Sequence, residues 1–85
     1  MPYFVYMLLT KHRGKFISYV GYTNNLKNRL SLHNSSKGAK FTKGKKWKII
    51  YSKKYLNKSK AMKDEYQLKK DYKLRNKIKC KFKQK

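Results

Sequence analysis

Eighty-five residues make one small domain with room for a single reaction centre, near the lower limit at which a core folds without staples. Twenty-five Lys and Arg against three Asp and Glu give a formal net charge of +22, which points to a phosphate-dense polyanion, nucleic acid ahead of an anionic membrane surface. The one cysteine, Cys80, excludes an intramolecular disulfide and a Cys-based metal cluster, and no apolar run reaches membrane-span length, so a cytoplasmic protein without membrane association is expected.

In chain order, residues 3–9 (YFVYMLL) are aromatic, β-branched and apolar, and a polar stretch with Gly14 separates them from residues 15–21 (KFISYVG); this predicts two strands joined by a hairpin. Thr23 is the expected N-cap of a helix reaching Asn34, and residues 35–40 read as loop from their composition. Residues 47–52 (WKIIYS) predict a third strand. Ser59 is the expected cap of a second helix through Tyr72, and Leu74 with Ile78 adds a short C-terminal helix before a charged tail. The expected fold is α+β, a small, mainly antiparallel three-stranded sheet flanked by helices, in the order strand, strand, helix, strand, helix.

Two polar residues fall where leucines belong. At about 100° per residue, Leu30 lies about 40° from Leu26, while Arg29 and His33 lie at about 300° and 340°, within the same apolar arc. Measured from Ala61 on the second helix, Leu68 falls at about 340°, Tyr72 at about 20° and Glu65 at about 40°, whereas Asp64 and Asp71 fall off the stripe. A carboxylate set against apolar neighbours costs several kcal/mol unless an opposite charge or a metal compensates it. Two readings follow: a partly buried Glu65–Arg29 salt bridge with His33 as a core histidine, or an open site where Glu65 holds Mg²⁺ or Mn²⁺ and Arg29 faces a phosphate.

With these residues in place, the chain resembles a GIY-YIG nuclease domain, particularly the small stand-alone bacterial members and the N-terminal domain of the excision-repair nuclease. Phe4-Val5-Tyr6 stands for the first triplet and Tyr19-Val20-Gly21 for the second; Arg29 and His33 match the helix residues that follow, and Glu65 the metal-binding glutamate. Phe4 replaces the first glycine of that pattern and Val20 its isoleucine. Some members add an asparagine from a C-terminal segment, for which Asn76 is the only stand-in here. The resemblance implies one nuclease domain over residues 1–78 and metal-dependent hydrolysis of phosphodiesters in DNA for repair, recombination or DNA processing; the charge of the basic tail, residues 79–85, makes disorder until binding the expectation there.

For that reaction the residue types are suitable. A metal on Glu65 and the Arg29 guanidinium supply positive charge to the pentavalent transition state. Tyr6 is the expected general base, provided its pKa falls well below about 10, with Tyr19 orienting water or phosphate and His33 relaying the proton or binding phosphate. Gly21 serves the shape of the site. Lys37, Lys40, Lys43, Lys45 and Lys46, interleaved with Phe41 and Trp47, suit phosphate contacts with a stacking option, and Lys69 a further phosphate contact. Trp47 reads as a core residue ahead of a stacking platform. Nothing reads base edges, so recognition by nucleic-acid structure is expected. RNA is compatible with the same features, and the small recognition surface leaves room for a targeting partner or weak dimerisation. The competing class is a non-catalytic nucleic-acid-binding module, including a ribosome-associated one, which needs the lysines but has no use for Glu65.

Overall fold

The computed structural model describes residues 2–83. Strands β1 (Tyr3–His12) and β2 (Lys15–Thr23) form a hairpin, followed by α1 (Leu26–Asn34), β3 (Lys48–Tyr55), α2 (Lys58–Lys70) and α3 (Tyr72–Lys83). The sheet order is β2-β1-β3, antiparallel throughout, as the α+β expectation requires. Arg13 and Gly14 take φ of 53° and 80°, the left-handed pair of a two-residue turn whose twist matches the strands it joins.

β1 is buried from Val5 to Thr10 because helices cover both faces of the central strand. Val5 and Met7 point to one face and join Val20, Ala61 and Leu68, with Ile50, Tyr51 and Ile78 packed around them. Tyr6 and Leu8 point to the other and pack with Trp47, Ile17, Tyr19, Leu26, Leu30 and Ile49. The period-two alternation of a strand thus serves two cores. The β1–β3 register shifts between Met7 and Leu8, whose partners are Tyr51 and Ile49; this bulge leaves Ile50 as the extra residue and lets it join Tyr51 on the α2–α3 side.

Four helix boundaries differ from the sequence reading. Thr23 remains in β2 and its hydroxyl accepts from the Asn25 amide, while Asn25 itself caps α1 by accepting from the Asn28 amide at 3.0 Å. Asn57, not Ser59, caps α2, accepting from the Lys60 amide at 2.9 Å. Asparagine caps as well as serine or threonine, and the strand's pull on Thr23 decides the first case. The second helix stops at Lys70 because the Asp71 carboxylate accepts from the Leu74 amide at 3.0 Å, ending α2 and starting α3. α3 then extends to Lys83, with half-buried Phe82 in line with Leu74 and Ile78 along one cleft. Residues 79–83, expected as tail, are therefore helical, and residues 84–85 lie outside the described residues. Among the described residues, no helix is long and apolar enough to cross a membrane.

Candidate active site

A cleft of about 330 Å³ opens where β2 leaves the sheet, lined in part by Tyr6, Tyr19, Gly21, Arg29, Lys58 and Glu65. Register explains how the strands contribute. Tyr6 sits opposite Gly21 and Leu8 opposite Tyr19, so both tyrosines and the glycine share one face. α1 brings Arg29 and His33 to it, and α2 brings Glu65. All five residues expected to be catalytic thus gather here, with buried His33 standing behind Tyr6 rather than on the cleft wall.

Gly21 has a direct steric reason. A Cβ there would lie 2.5 Å from the Tyr6 hydroxyl oxygen and 2.7 Å from its Cζ, far inside van der Waals contact. Gly38 does the same for the histidine, since a Cβ would fall 2.5 Å from His33 Nδ1. The two glycines clear space for the two ends of one hydrogen-bonded pair.

Hydrogen-bond directions around His33 follow from its neighbours. The Thr42 hydroxyl donates to the Ala39 carbonyl at 2.8 Å, which leaves its oxygen to accept from His33 Nδ1 at 2.8 Å. Nδ1 therefore carries the proton and Nε2 is bare. The Tyr6 hydroxyl, 2.9 Å from Nε2, donates to it. Burial, and secondarily the Arg29 charge, hold the His33 pKa below its ordinary value, consistent with a neutral ring. Burial also pushes the Tyr6 phenol above its ordinary value, against the opposing pull of Arg29. The condition set for Tyr6 as a general base, a pKa well below the ordinary value, is not met in the free protein, where desolvation wins. A phenol raised in this way keeps its proton until a base takes it, and His33 Nε2 is placed to be that base.

The Arg29 Nε is buried and has no hydrogen-bond partner. Among the described residues, no ion pair joins Arg29 to Glu65; the carboxylate, its side chain 16 % exposed, pairs instead with Lys69 at 3.3 Å. Lys69 thus lies one turn from Glu65, holding it. Asp64 influences Tyr51 and Tyr55 on β3, away from the cleft. Glu65 is the one carboxylate among the residues that line the cleft, and the described residues contain no group of three or more His, Cys, Asp and Glu placed to hold a metal. One carboxylate still fits a magnesium-type ion, which keeps several waters and takes one or two carboxylates beside a substrate phosphate.

Lys37, Lys40, Lys43, Lys45 and Lys46 do not line the cleft. They lie on the segment between α1 and β3, which includes a 3₁₀ turn, Lys40–Thr42. Trp47 is core: it is buried and its Nε1 donates to the Thr42 carbonyl at 3.0 Å. Asn76, on α3, is not among the cleft residues. Two residues escaped the sequence reading. Lys58, seven positions before Glu65, falls about 20° from it on a helix, a spacing that would have placed it in the cleft had the helix been started at Asn57. The role of Thr42 was not readable, because it depends on a loop returning to the end of α1.

The model of the GIY-YIG catalytic domain matches residues 2–79 of the chain. The chain is similar to a UPF0213 protein of Oceanobacillus iheyensis, 44% identical over 67 residues that make up 78% of this chain and 74% of the relative. A UPF0213 protein of Staphylococcus haemolyticus is 36% identical over 67 residues, 78% of each chain. A UPF0213 protein from Bacillus halodurans, solved in solution by NMR, is 30% identical and is matched over 98% of this chain and 86% of its own, with a TM-score of 0.49.

Proposed function

This chain belongs to the GIY-YIG catalytic domain family, and from that premise we propose that it is a metal-dependent endonuclease that hydrolyses phosphodiester bonds in DNA, guided by the structure of the substrate. The observation that carries this reading is the Tyr6–His33 bond opening onto a cleft that also holds Arg29 and Glu65. A binding module has no use for a carboxylate set beside that pair in a cation-lined cleft.

Each group has a task. Tyr6 takes a proton from the attacking water as it gives its own to His33 Nε2, so no free phenolate need form at neutral pH. His33 then carries the charge, which Arg29 opposes and the added negative charge of the transition state offsets. The Arg29 guanidinium, with an unpartnered Nε, donates to the phosphate that reacts. Tyr19 borders the same space and orients water or phosphate. Lys58 adds a cation on the cleft wall. Glu65 is the group to hold Mg²⁺ or Mn²⁺, which when bound supplies positive charge at the scissile phosphate.

The test is cleavage of end-labelled linear, flapped and branched DNA, and of RNA, by wild type and Glu65→Ala at low salt with Mg²⁺, Mn²⁺ or EDTA. Nicking by wild type alone, lost in EDTA, supports the nuclease. If both proteins bind every substrate alike and neither cuts any, the protein is a binding module and Glu65 with Lys69 a surface ion pair.

A further inference from the structure

Phe41 is 53 % exposed, an apolar residue at the surface of a chain dominated by lysine. Other large apolar side chains are exposed as well, Leu56, Tyr66 and Tyr72 among them, but Phe41 alone of these stacks on a residue of the cleft. Its ring lies 6.2 Å from that of Tyr19, the planes inclined by 21°. Tyr19 in turn lines the cleft beside Tyr6. The exposed ring is thus the outer end of an aromatic run that begins at the reaction centre.

The backbone around Phe41 fixes this orientation. Its neighbour Thr42 is fully buried and tied to His33 and to the Ala39 carbonyl. Trp47 holds the Thr42 carbonyl, and Asn34 brackets Trp47, accepting from its amide at 2.6 Å and donating to its carbonyl at 3.2 Å. A segment pinned through Thr42 turns the adjacent side chain outward. Phe41 is therefore presented on a rigid support at little ordering cost. The Lys45 ammonium lies over the Phe41 ring, 5.6 Å from its centroid, and is held there only by exposed bonds to the Phe41 and Lys43 carbonyls, which leave it free to move off the ring toward a phosphate. Lys37, Lys40 and Lys43 are exposed on the same segment.

A π-face beside cations that track a backbone is the arrangement that binds unpaired nucleotides, because every base has a face to stack whatever its sequence. We propose that Phe41 is a stacking platform for an unpaired nucleobase flanking the phosphate in the cleft, with Lys45 following that nucleotide's phosphate. The placement rests on the nuclease reading, which puts a phosphate beside Tyr6. It gives the site a substrate class: single strands, or duplexes with a frayed or extruded base at the cut. A base stacks equally from DNA or RNA, so both are tested.

The experiment measures binding in EDTA, where cleavage is suppressed, by fluorescence anisotropy of end-labelled oligonucleotides. The probes are a single strand, the same strand with abasic sites and a blunt duplex, plus the single strand as RNA. Phe41→Ala should lose on the order of 10-fold affinity for the intact single strand, with little change for the abasic strand or the duplex. Phe41→Trp should restore the preference, and 2-aminopurine in the strand should be quenched by wild type but not by Phe41→Ala. The RNA strand shows whether the sugar matters. Equal losses on all probes, or none, overturn the proposal. Should Phe41→Ala fail to fold, Phe41→Leu, apolar but without a π-face, takes its place and is read in the same way. Because these readings are ratios of binding, they decide on Phe41 even if wild type cuts nothing, and a working nuclease with no strand preference would leave only the platform refuted.

Discussion

The hydroxyl of Tyr6 and Nε2 of His33, separated by twenty-seven positions in the chain, lie 2.9 Å apart within the core, so one hydrogen bond serves both the fold and the proposed proton transfer. Tyr6→Phe should show both roles. The variant leaves Nε2 buried and unpaired, costing about 1–3 kcal/mol of stability, and removes the group that takes the water's proton, lowering cleavage by on the order of 100-fold or more. Urea unfolding and single-turnover cleavage measure the two effects. A variant cutting at nearly the wild-type rate would remove Tyr6 from the mechanism.

Acid should act through His33. Its pKa is lowered in the folded protein from the ordinary value of about 6.5, so between that value and the lower folded one the unfolded chain binds more protons. Stability then rises with pH through this window and falls as pH drops below about 6.5. The acid limb of the cleavage profile should lie at the folded pKa, also below about 6.5, because the bare Nε2 must be available. Thermal unfolding against pH, repeated with His33→Gln, isolates this group from the carboxylates that titrate lower. A limb at or above about 6.5 would contradict the assignment.

Gly21→Ala and Gly38→Ala press a methyl group on opposite ends of the Tyr6–His33 pair. Overpacking at such a point costs about 1–3 kcal/mol. Cleavage should fall more than this strain alone explains, since the pair must separate or tilt. Denaturation midpoints together with rates measured well below the midpoint check it; unchanged rates in both variants would mean the pair tolerates displacement.

Thr42→Val keeps the volume and loses the acceptor for His33 Nδ1. The fixed tautomer is then released, with a loss of about 1–3 kcal/mol, and Thr42→Ser should restore both. Imidazole nitrogen shifts by NMR report the tautomer directly. If Thr42→Val leaves them as in wild type, another group orients the ring.

Glu65 and Lys69 form an ion pair one helical turn apart with the lysine half exposed, a geometry worth only about 0.3–0.5 kcal/mol. Lys69→Ala should therefore barely move the melting temperature. Glu65→Gln should be nearly as mild for stability and yet abolish metal-dependent cleavage. A large stability loss in Glu65→Gln would assign that carboxylate to the fold.

The site was legible where local pattern and chemistry agree. Arg29 and His33 stand out because helical periodicity places them among leucines, and Glu65 because it is the one acid of three aimed inward. The strands announced themselves through β-branched and aromatic runs. The caps did not, because Thr23 and Ser59 are as suitable by type as Asn25 and Asn57, and the choice is made by where strand pairing stops. The break at Asp71 was hidden for a related reason: a carboxylate on an exposed face and a carboxylate capping the next helix look alike in sequence. Thr42 and Gly38 gain their meaning only when the loop folds back on His33. The direction of the Tyr6 shift was not legible, because net charge is visible in a composition and desolvation is not.

β1 is paired on both sides and carries Tyr6 in its buried span, so the amides around this tyrosine lie in the part of the molecule most protected from solvent exchange. Local openings start in weakly packed segments, and a doubly paired central strand opens only when the whole domain does. A protein built this way keeps Tyr6 in register for as long as the sheet itself persists. Heating should expose the amides around Tyr6 only as the domain itself denatures.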